Sequence, residues 1–477
     1  MKKLSLVAFC LLFAGSVFSQ QDWGKISNEN RKESPFGRRE LGTMTDAIPD
    51  MVPKRYANYP RIQVDATQAE ANGLRVLEGE KVVIVTDLKI TPEIEKLPQA
   101  VADALPQMAS FFGVTPPSDW KLTAFLMKDN IPFTQAGYLP DILPPFQNGF
   151  SFNYDCWLYE QPSGYYRRHL LLHEMVHSFA NTTLGNVGPG WYAEGTAEYL
   201  AAHDSTAAPL ALGFMPPNKK ATPYFARVKE LRDACHRGEA RTFEEARQFG
   251  REDYGTNAIY YWSWAMVRFL VNHPDTADAF RSLPEFLKTN PTPDAFDEHF
   301  QKLVADKIST LRKHWLMYVA TFDYGYALEP MLFDTTPGKP LSAKVIQDVA
   351  VDRGWQNMGI ALRQGDKIRI RAIGKYELYK KETLSYPCEP NGITLEYHRG
   401  SPLGILQAVI LPDEEVTREM MNDASDGTFF KPLEIGLNRT FEVPRDGTLY
   451  LGVNVPTVHM SENRGRLKVE IKRIEDL

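Results

Sequence analysis

His173-Glu174-Met175-Val176-His177, followed downstream by Trp191-Tyr192-Ala193-Glu194-Gly195-Thr196-Ala197-Glu198-Tyr199, is the stretch on which the reading of this chain turns. Residues four apart lie on one face of a helix, so His173 and His177 can direct two imidazole nitrogens at one metal ion with Glu174 beside it. A hydrolytic zinc site needs three protein ligands and one open position for water. Glu194 is the candidate third ligand. It follows His177 by seventeen residues, room for a turn through Gly185, Gly188 and Gly190 and for an antiparallel helix that returns a carboxylate to the metal. Glu198, one helical turn further on, faces the same way and can accept the outer N–H of a ligand histidine, which fixes its tautomer.

Within this site Glu174 is the expected general base, taking a proton from water and passing it to a leaving amine, while one catalytic zinc ion activates the water and polarises the carbonyl. His169 lies one turn before His173. Three residues on successive turns spread over about 12 Å, too far for one ion, so His169 is read as a supporting or surface residue and not as a ligand.

The bulk composition bounds the rest. The chain has 477 residues, 43% hydrophobic, 24% charged and 12% aromatic, which supplies packed cores and exceeds what one core usually serves. With 54 basic and 60 acidic residues and a net charge of -6, no basic stripe points to nucleic acid, and that class of partner is set aside. Met1-Lys2-Lys3 and the short apolar run over 4–18, ending in Val17-Phe18-Ser19, read as a signal peptide over 1–19. This predicts a secreted or periplasmic, cell-envelope protein with no transmembrane segment after cleavage. Cys156, Cys235 and Cys388 then remain, too few and too widely spaced for a disulfide framework, and none stands in a CxxC pair.

Residues 20–78 are polar and proline-punctuated and read as an extended segment with little regular structure. A strand over 81–86, a helix over 91–112, a strand over 120–127 and one strand over 150–159 precede the histidine helix, expected over 165–182 and ended near Gly185. Further helices are expected over 191–203, 223–236, 259–272 and 305–321. Beyond about 340 short alternating runs at 367–373, 393–397, 405–411, 448–453 and 467–471, separated by Gly, Pro, Asn and Asp, have the pattern of a β-sandwich.

The His173-Glu174-x-x-His177 and Glu194-Gly195-x-Ala197-Glu198 segments resemble those of the gluzincin metallopeptidases. That resemblance implies an α+β, thermolysin-like catalytic domain over 79–335, and the alternating runs beyond it predict an all-β sandwich over 340–477. In the aminopeptidase branch of the clan a tyrosine opening a later helix stabilises the oxyanion. Laid on that run, Tyr260-Tyr261-Trp262-Ser263-Trp264 makes Tyr260 the implied donor, with Tyr254 as the second candidate. One departure matters. Aminopeptidases of that branch have a Gly-x-Met-Glu-Asn strand whose glutamate binds the substrate's free amine, whereas here Gly149-Phe150-Ser151-Phe152-Asn153 puts Phe152 at that place. This favours an endopeptidase over an aminopeptidase.

The C-terminal segments Gln364-Gly365-Asp366-Lys367-Ile368, Asp446 to Asn454 and Glu462-Asn463-Arg464-Gly465 resemble the calcium-dependent galactose-binding lectins of the PA-IL type. The resemblance implies a Ca2+ site, but Val455 follows Asn454 and Glu462 replaces an aspartate, which lowers the oxygen count. A sandwich that only packs on the catalytic domain is the simpler reading, because a fold does not fix a function. The expected partner is a peptide or protein substrate, glycosylated if the sandwich binds sugar. The alternative is a carbohydrate- or glycoprotein-binding protein whose peptidase-like domain is inactive.

Overall fold

The computed structural model describes residues 59–474 apart from 250–252, 254–255, 343 and 381–383. The signal peptide expected over 1–19, most of the segment over 20–78, and Tyr254 lie outside the described residues. Among those described, no helix is long and apolar enough to cross a membrane.

The first half is built on a mixed five-stranded sheet. Helix α1 (Ala66–Ala71) leads into β1 (Arg75–Glu78) and β2 (Val82–Thr86), and helix α2 (Leu97–Phe112) crosses to β3 (Leu122–Met127). Two short strands, β4 (Gly149–Phe152) and β5 (Asp155–Tyr159), complete the order β1-β2-β3-β5-β4. The end of the segment expected to be irregular is therefore structured: Asp65 caps α1 through the N–H groups of Thr67 and Gln68, and β1 pairs antiparallel with β2.

Two expected elements are divided. The helix over 91–112 is a turn at Pro92–Glu95 followed by α2, because Pro98 at the start of α2 has no N–H to continue the ladder. The single strand over 150–159 is the antiparallel hairpin β4–β5, folded back where Asn153 takes a left-handed φ of 50°. That fold-back places β4 at the edge of the sheet, next to the histidine helix.

Helix α3 (Gly164–Leu184) carries His173 to His177. Ser163 accepts the N–H of Tyr166 to cap its start, and Gly185, with φ 76°, ends it as expected. Helix α4 (Gly190–Ala201) runs back along it. Next come α5 (Arg227–His236), α6 (Ala258–Asn272), α7 (Ala277–Leu287), α8 (Pro293–Val304) and α9 (Ile308–Thr321). Helix α5 starts later than the pattern suggests because Tyr224 is left-handed, φ 69°. Helices α7 and α8 lie where no element was expected; Pro284 interrupts the pattern of one and Pro293 opens the other.

Helices α4 and α6 cross at backbone contact, and Gly195 is the reason. A Cβ there would lie 2.6 Å from Ser263 O and 2.5 Å from Val267 Cγ2. In an open helix, changing Gly to Ala gains roughly 0.5–1 kcal/mol, but overpacking a tight crossing costs about 1–3 kcal/mol, so the clash wins. Gly195→Ala is expected to lower stability by about 1–2 kcal/mol, measured by urea unfolding.

After α9 the chain is mostly β, with short helical turns at Glu329–Met331, Arg418–Met421 and Thr457–Glu462. One antiparallel sheet orders the strands Asn438–Glu442, Lys367–Ile373, Arg466–Arg473 and Val345–Ala350. The other orders Leu433–Glu434, Leu406–Leu411, Gly447–Val453, Gln356–Leu362 and the short Lys339–Pro340. Ile368, Ile370, Ala372, Leu467, Val469 and Ile471 all point inward and are fully buried, as period-two alternation requires. Gly447–Val453 is buried along its whole length. Its sheet is covered on the second face too, where Tyr450 meets Phe333 with ring centroids 5.0 Å apart.

Asp155 at the start of β5 is a pH marker for this half. Burial pushes its carboxyl up to about 6, against the Ile62 N–H bond that favours the ionised form. A carboxyl raised on folding binds its proton more tightly in the native state. Its contribution is therefore complete below the unfolded value of 3.8 and lost as pH rises towards 6. The stability difference between Asp155→Asn and the parent is expected to grow in the variant's favour by up to about 3 kcal/mol over that window, measured by urea unfolding at several pH values.

Candidate metal centre

Helix α3 is unusual for a core helix because, among its mostly apolar buried residues, it also buries a polar group. His169, His173, Glu174 and Ser178 are all buried, at a desolvation cost that a merely structural helix would avoid. The antiparallel return of α4 brings Glu194 and Glu198 against this group. His173 Nε2 lies 3.2 Å from His177 Nε2. Glu194 Oε2 lies 3.3 Å from the first of these nitrogens and 3.6 Å from the second.

These three atoms match the edges of a zinc tetrahedron. With metal–ligand bonds of 2.0–2.1 Å, two ligand atoms stand about 3.3–3.4 Å apart. Among the described residues, buried Glu194 Oε2 makes no well-formed hydrogen bond, and the two ring nitrogens face it. Charge agrees with distance. Burial would raise the Glu194 carboxyl, but His177 and His173 hold it down to about 2. Burial would lower His173, yet Glu194 and Glu198 hold it up to about 10. Two carboxylates at this point thus demand positive charge, which a dication between neutral imidazoles provides. The residues fit a zinc ion.

His173 is held from behind. Its Nδ1 lies 3.4 Å from Glu198 Oε1, and Glu198 in turn takes the fork of Arg227, with Nε on Oε2 and Nη2 on Oε1, both at 2.9 Å. Burial alone would raise Glu198; Arg227 and His169 outweigh it and keep the carboxyl well below the usual range. Arg227 also donates to Glu230 at 3.0 Å, and its guanidinium lies over the ring of Tyr260, 5.3 Å from the centroid.

His169, His173 and Glu198 form a second buried group close enough for one ion. His169 is fully buried behind the site and is not a surface residue; its Nε2 lies 3.3 Å from Glu198 Oε2. The Arg227 guanidinium already occupies both oxygens of Glu198 and repels a cation there. The group of His173, His177 and Glu194 has no such competitor.

Glu174 sits between this cluster and β4. Burial raises its carboxyl above the usual range, His173 and His177 pull it down, and Ser151 hydrogen-bonds it. Gly149 leaves room for the Glu174 carboxyl, which a Cβ there would push aside. Since Gly149 and Ser151 face Glu174, period two turns Phe150 and Phe152 to the opposite face, where they pack with Phe125 and Trp157. Phe152 is therefore a core residue, and the side of the strand nearest Glu174 carries no acid at all.

Tyr260, in the first turn of α6, has its ring 6.2 Å from that of His173. Burial first, then Glu194 and Glu198, raise its hydroxyl, so it stays a neutral phenol able to donate. The cluster thus gathers His173, Glu174, His177, Glu194, Glu198 and Tyr260. Sequence reasoning missed Arg227, Gly149 and Ser151. Arg227 stands among Arg232, Lys229 and Glu230 with nothing in the local pattern to single it out.

In the C-terminal half Asn454 Nδ2 donates to the carbonyls of His398, Ser401 and Pro402, at 2.8, 3.1 and 3.1 Å. Glu462 is engaged by His459 Nδ1 at 3.0 Å.

No family model and no curated protein matches the chain. Among solved structures, the N-terminal domain of EclA, a PllA-like lectin, is 23% identical over 28% of this chain and 98% of its own, with a TM-score of 0.20. An aminopeptidase N family protein from Idiomarina loihiensis is 15% identical over 81% of this chain and 68% of its own, with a TM-score of 0.33. Both likenesses are distant, and function is read from the site's own geometry.

Proposed function

We propose that this chain is a zinc-dependent metallopeptidase of the gluzincin type, secreted or held in the cell envelope, that cuts within peptide chains. Residues 1–19 would be its signal peptide, 79–335 its thermolysin-like catalytic domain and 340–477 its β-sandwich domain. The observation that supports this most is the meeting of His173 Nε2, His177 Nε2 and Glu194 Oε2 within 3.2–3.6 Å of one another, with Glu174 buried beside them.

His173, His177 and Glu194 would hold the metal, whose chemistry when bound is to acidify water and polarise the scissile carbonyl. Glu174, raised by burial, takes the proton from water and carries it to the leaving amine. Ser151 orients that carboxylate. Tyr260 remains protonated and donates a hydrogen bond to the developing oxyanion. Glu198, fixed by Arg227, holds Nδ1 of His173 so that Nε2 faces the metal position. The edge strand β4 can pair with an extended substrate, and β4 places no acid on the side facing Glu174 to anchor a free amine.

Elemental analysis and peptide-library cleavage test this reading together. One zinc per chain, internal cuts, loss of cleavage with a chelator and recovery on adding zinc are expected. Cleavage indifferent to chelation, or no bound zinc in an inactive protein, would reject it.

A further inference from the structure

A cavity of ≈ 670 Å³ opens between the helices and the β-rich half, lined by none of the residues of the metal centre. Its volume falls in the range of small-molecule sites, and such sites favour seams of this kind. One wall is the end of α5 and α9. The other includes the turn His398 to Ser401, with Trp355, Phe429 and Phe430 as its apolar part.

Arg399 enters this cavity from an awkward place. It occupies the two-residue turn between Ile393–His398 and Ser401–Leu403, with φ 52° followed by Gly400 at φ 83°. Asn or Gly suits such a turn, and a longer side chain there costs about 1 kcal/mol. From this position Arg399 reaches across the seam to donate Nη2 to Ala320 O, at the end of α9. Among the described residues that is its one hydrogen bond, and no carboxylate lies within ion-pair distance. Asp323, whose charge acts on Arg399, is paired with Arg232 at 2.7 Å.

The wider charge count agrees. Arg232, Arg399, Lys431 and Arg439 face or border the cavity, against the carboxylates of Asp323, Asp426 and Glu434. Lys431 and Asp426 neutralise each other at 2.9 Å, and Arg439 donates Nη1 to the Glu434 carbonyl at 2.7 Å. Arg232, Arg399 and Arg439 are then left with two carboxylates, Asp323 and Glu434, and Arg232 takes the first of these. His398 adds no anion; burial, then Arg399, lowers it to about 4 and keeps it neutral. Arg399 is exposed where it lines the cavity and, among the described residues, no carboxylate pairs with it, so its remaining N–H donors are open to an anion.

We propose that this cavity is a binding site for a small oxyanion, a carboxylate or phosphate, whose head is held by the guanidinium of Arg399 and whose apolar body lies against Trp355 and Phe430. The fork of N–H donors matches the oxygens of either head, and the aromatic wall suits a ring.

Calorimetric titration of the full chain at constant ionic strength tests it, with phenyl phosphate, benzoate, inorganic phosphate and neutral benzyl alcohol as probes. Phenyl phosphate or benzoate is expected to bind about tenfold or more tightly than benzyl alcohol, and the ranking of the two assigns the head group. Inorganic phosphate binding more weakly than phenyl phosphate supports the aromatic wall. Arg399→Gln should weaken the anion about tenfold or more, with Arg399→Lys between. The proposal fails if no anion binds below about 10 mM, if benzyl alcohol binds as well, or if folded Arg399→Gln binds unchanged. Should that variant not fold, the contrast between anions and benzyl alcohol in the parent chain decides.

Discussion

Glu174→Gln is expected to lower kcat/KM by about a thousandfold, roughly 4 kcal/mol of transition-state stabilisation, while the protein keeps its zinc. The amide has the same shape and can keep its hydrogen bond with Ser151, but it cannot take a proton. Glu174 is not one of the three atoms that meet at 3.2–3.6 Å, so the metal set stays whole. Folding should not suffer either. A carboxylate that burial already pushes towards its neutral form is replaced by a neutral group, which removes a desolvation cost. Activity assays, zinc analysis and urea unfolding of one preparation separate these outcomes. Substantial activity in the variant would sink Glu174 as the base; lost zinc would show that it belongs to the metal set.

The second large effect belongs to Arg227→Met. Removing the guanidinium strands Glu198, which is 2% exposed and receives both charge-assisted bonds from that one side chain. Breaking a buried pair by deleting one partner costs about 3–5 kcal/mol, and His169 and His173, at 3.3 and 3.4 Å from Glu198, compensate only part of the charge left behind. The metal site should weaken as well. Without Arg227 the Glu198 carboxylate no longer holds its place beside His173 Nδ1, and loss of such support typically lowers metal affinity by about 10–100-fold. A double variant with Glu198→Gln should recover part of the stability, since the stranded charge is then gone, and the cycle gives the coupling directly. Urea unfolding and zinc competition are the measurements. Additive losses in the cycle would mean that the two residues act independently.

The motif segments were legible for a physical reason. Residues His173, Glu174 and His177 are neighbours through the helix itself, so their common face follows from a period of 3.6, and Gly185 marks the helix end by a local backbone requirement. Glu194 and Glu198 follow from the same period on the next helix, given only that α4 returns antiparallel. The strands at 367–373 and 448–453 were legible because alternation is also local. Where local cues misled, a single residue was responsible: Pro98 divided a helix, and Asn153 folded one expected strand into the hairpin that puts Gly149 and Ser151 beside Glu174.

By itself the sequence determined the two histidines, the glutamate between them, the returning carboxylates and the change to alternating strands near residue 340, since each depends on neighbours a few positions away. The tertiary structure alone decided which buried charge steadies Glu198, which way Phe152 faces, and that Arg399 meets the end of α9 across a seam. Arg227 is 29 residues from Glu198, and Arg399 is 79 from Ala320. No local period spans such distances, so only the packed chain could bring those groups together.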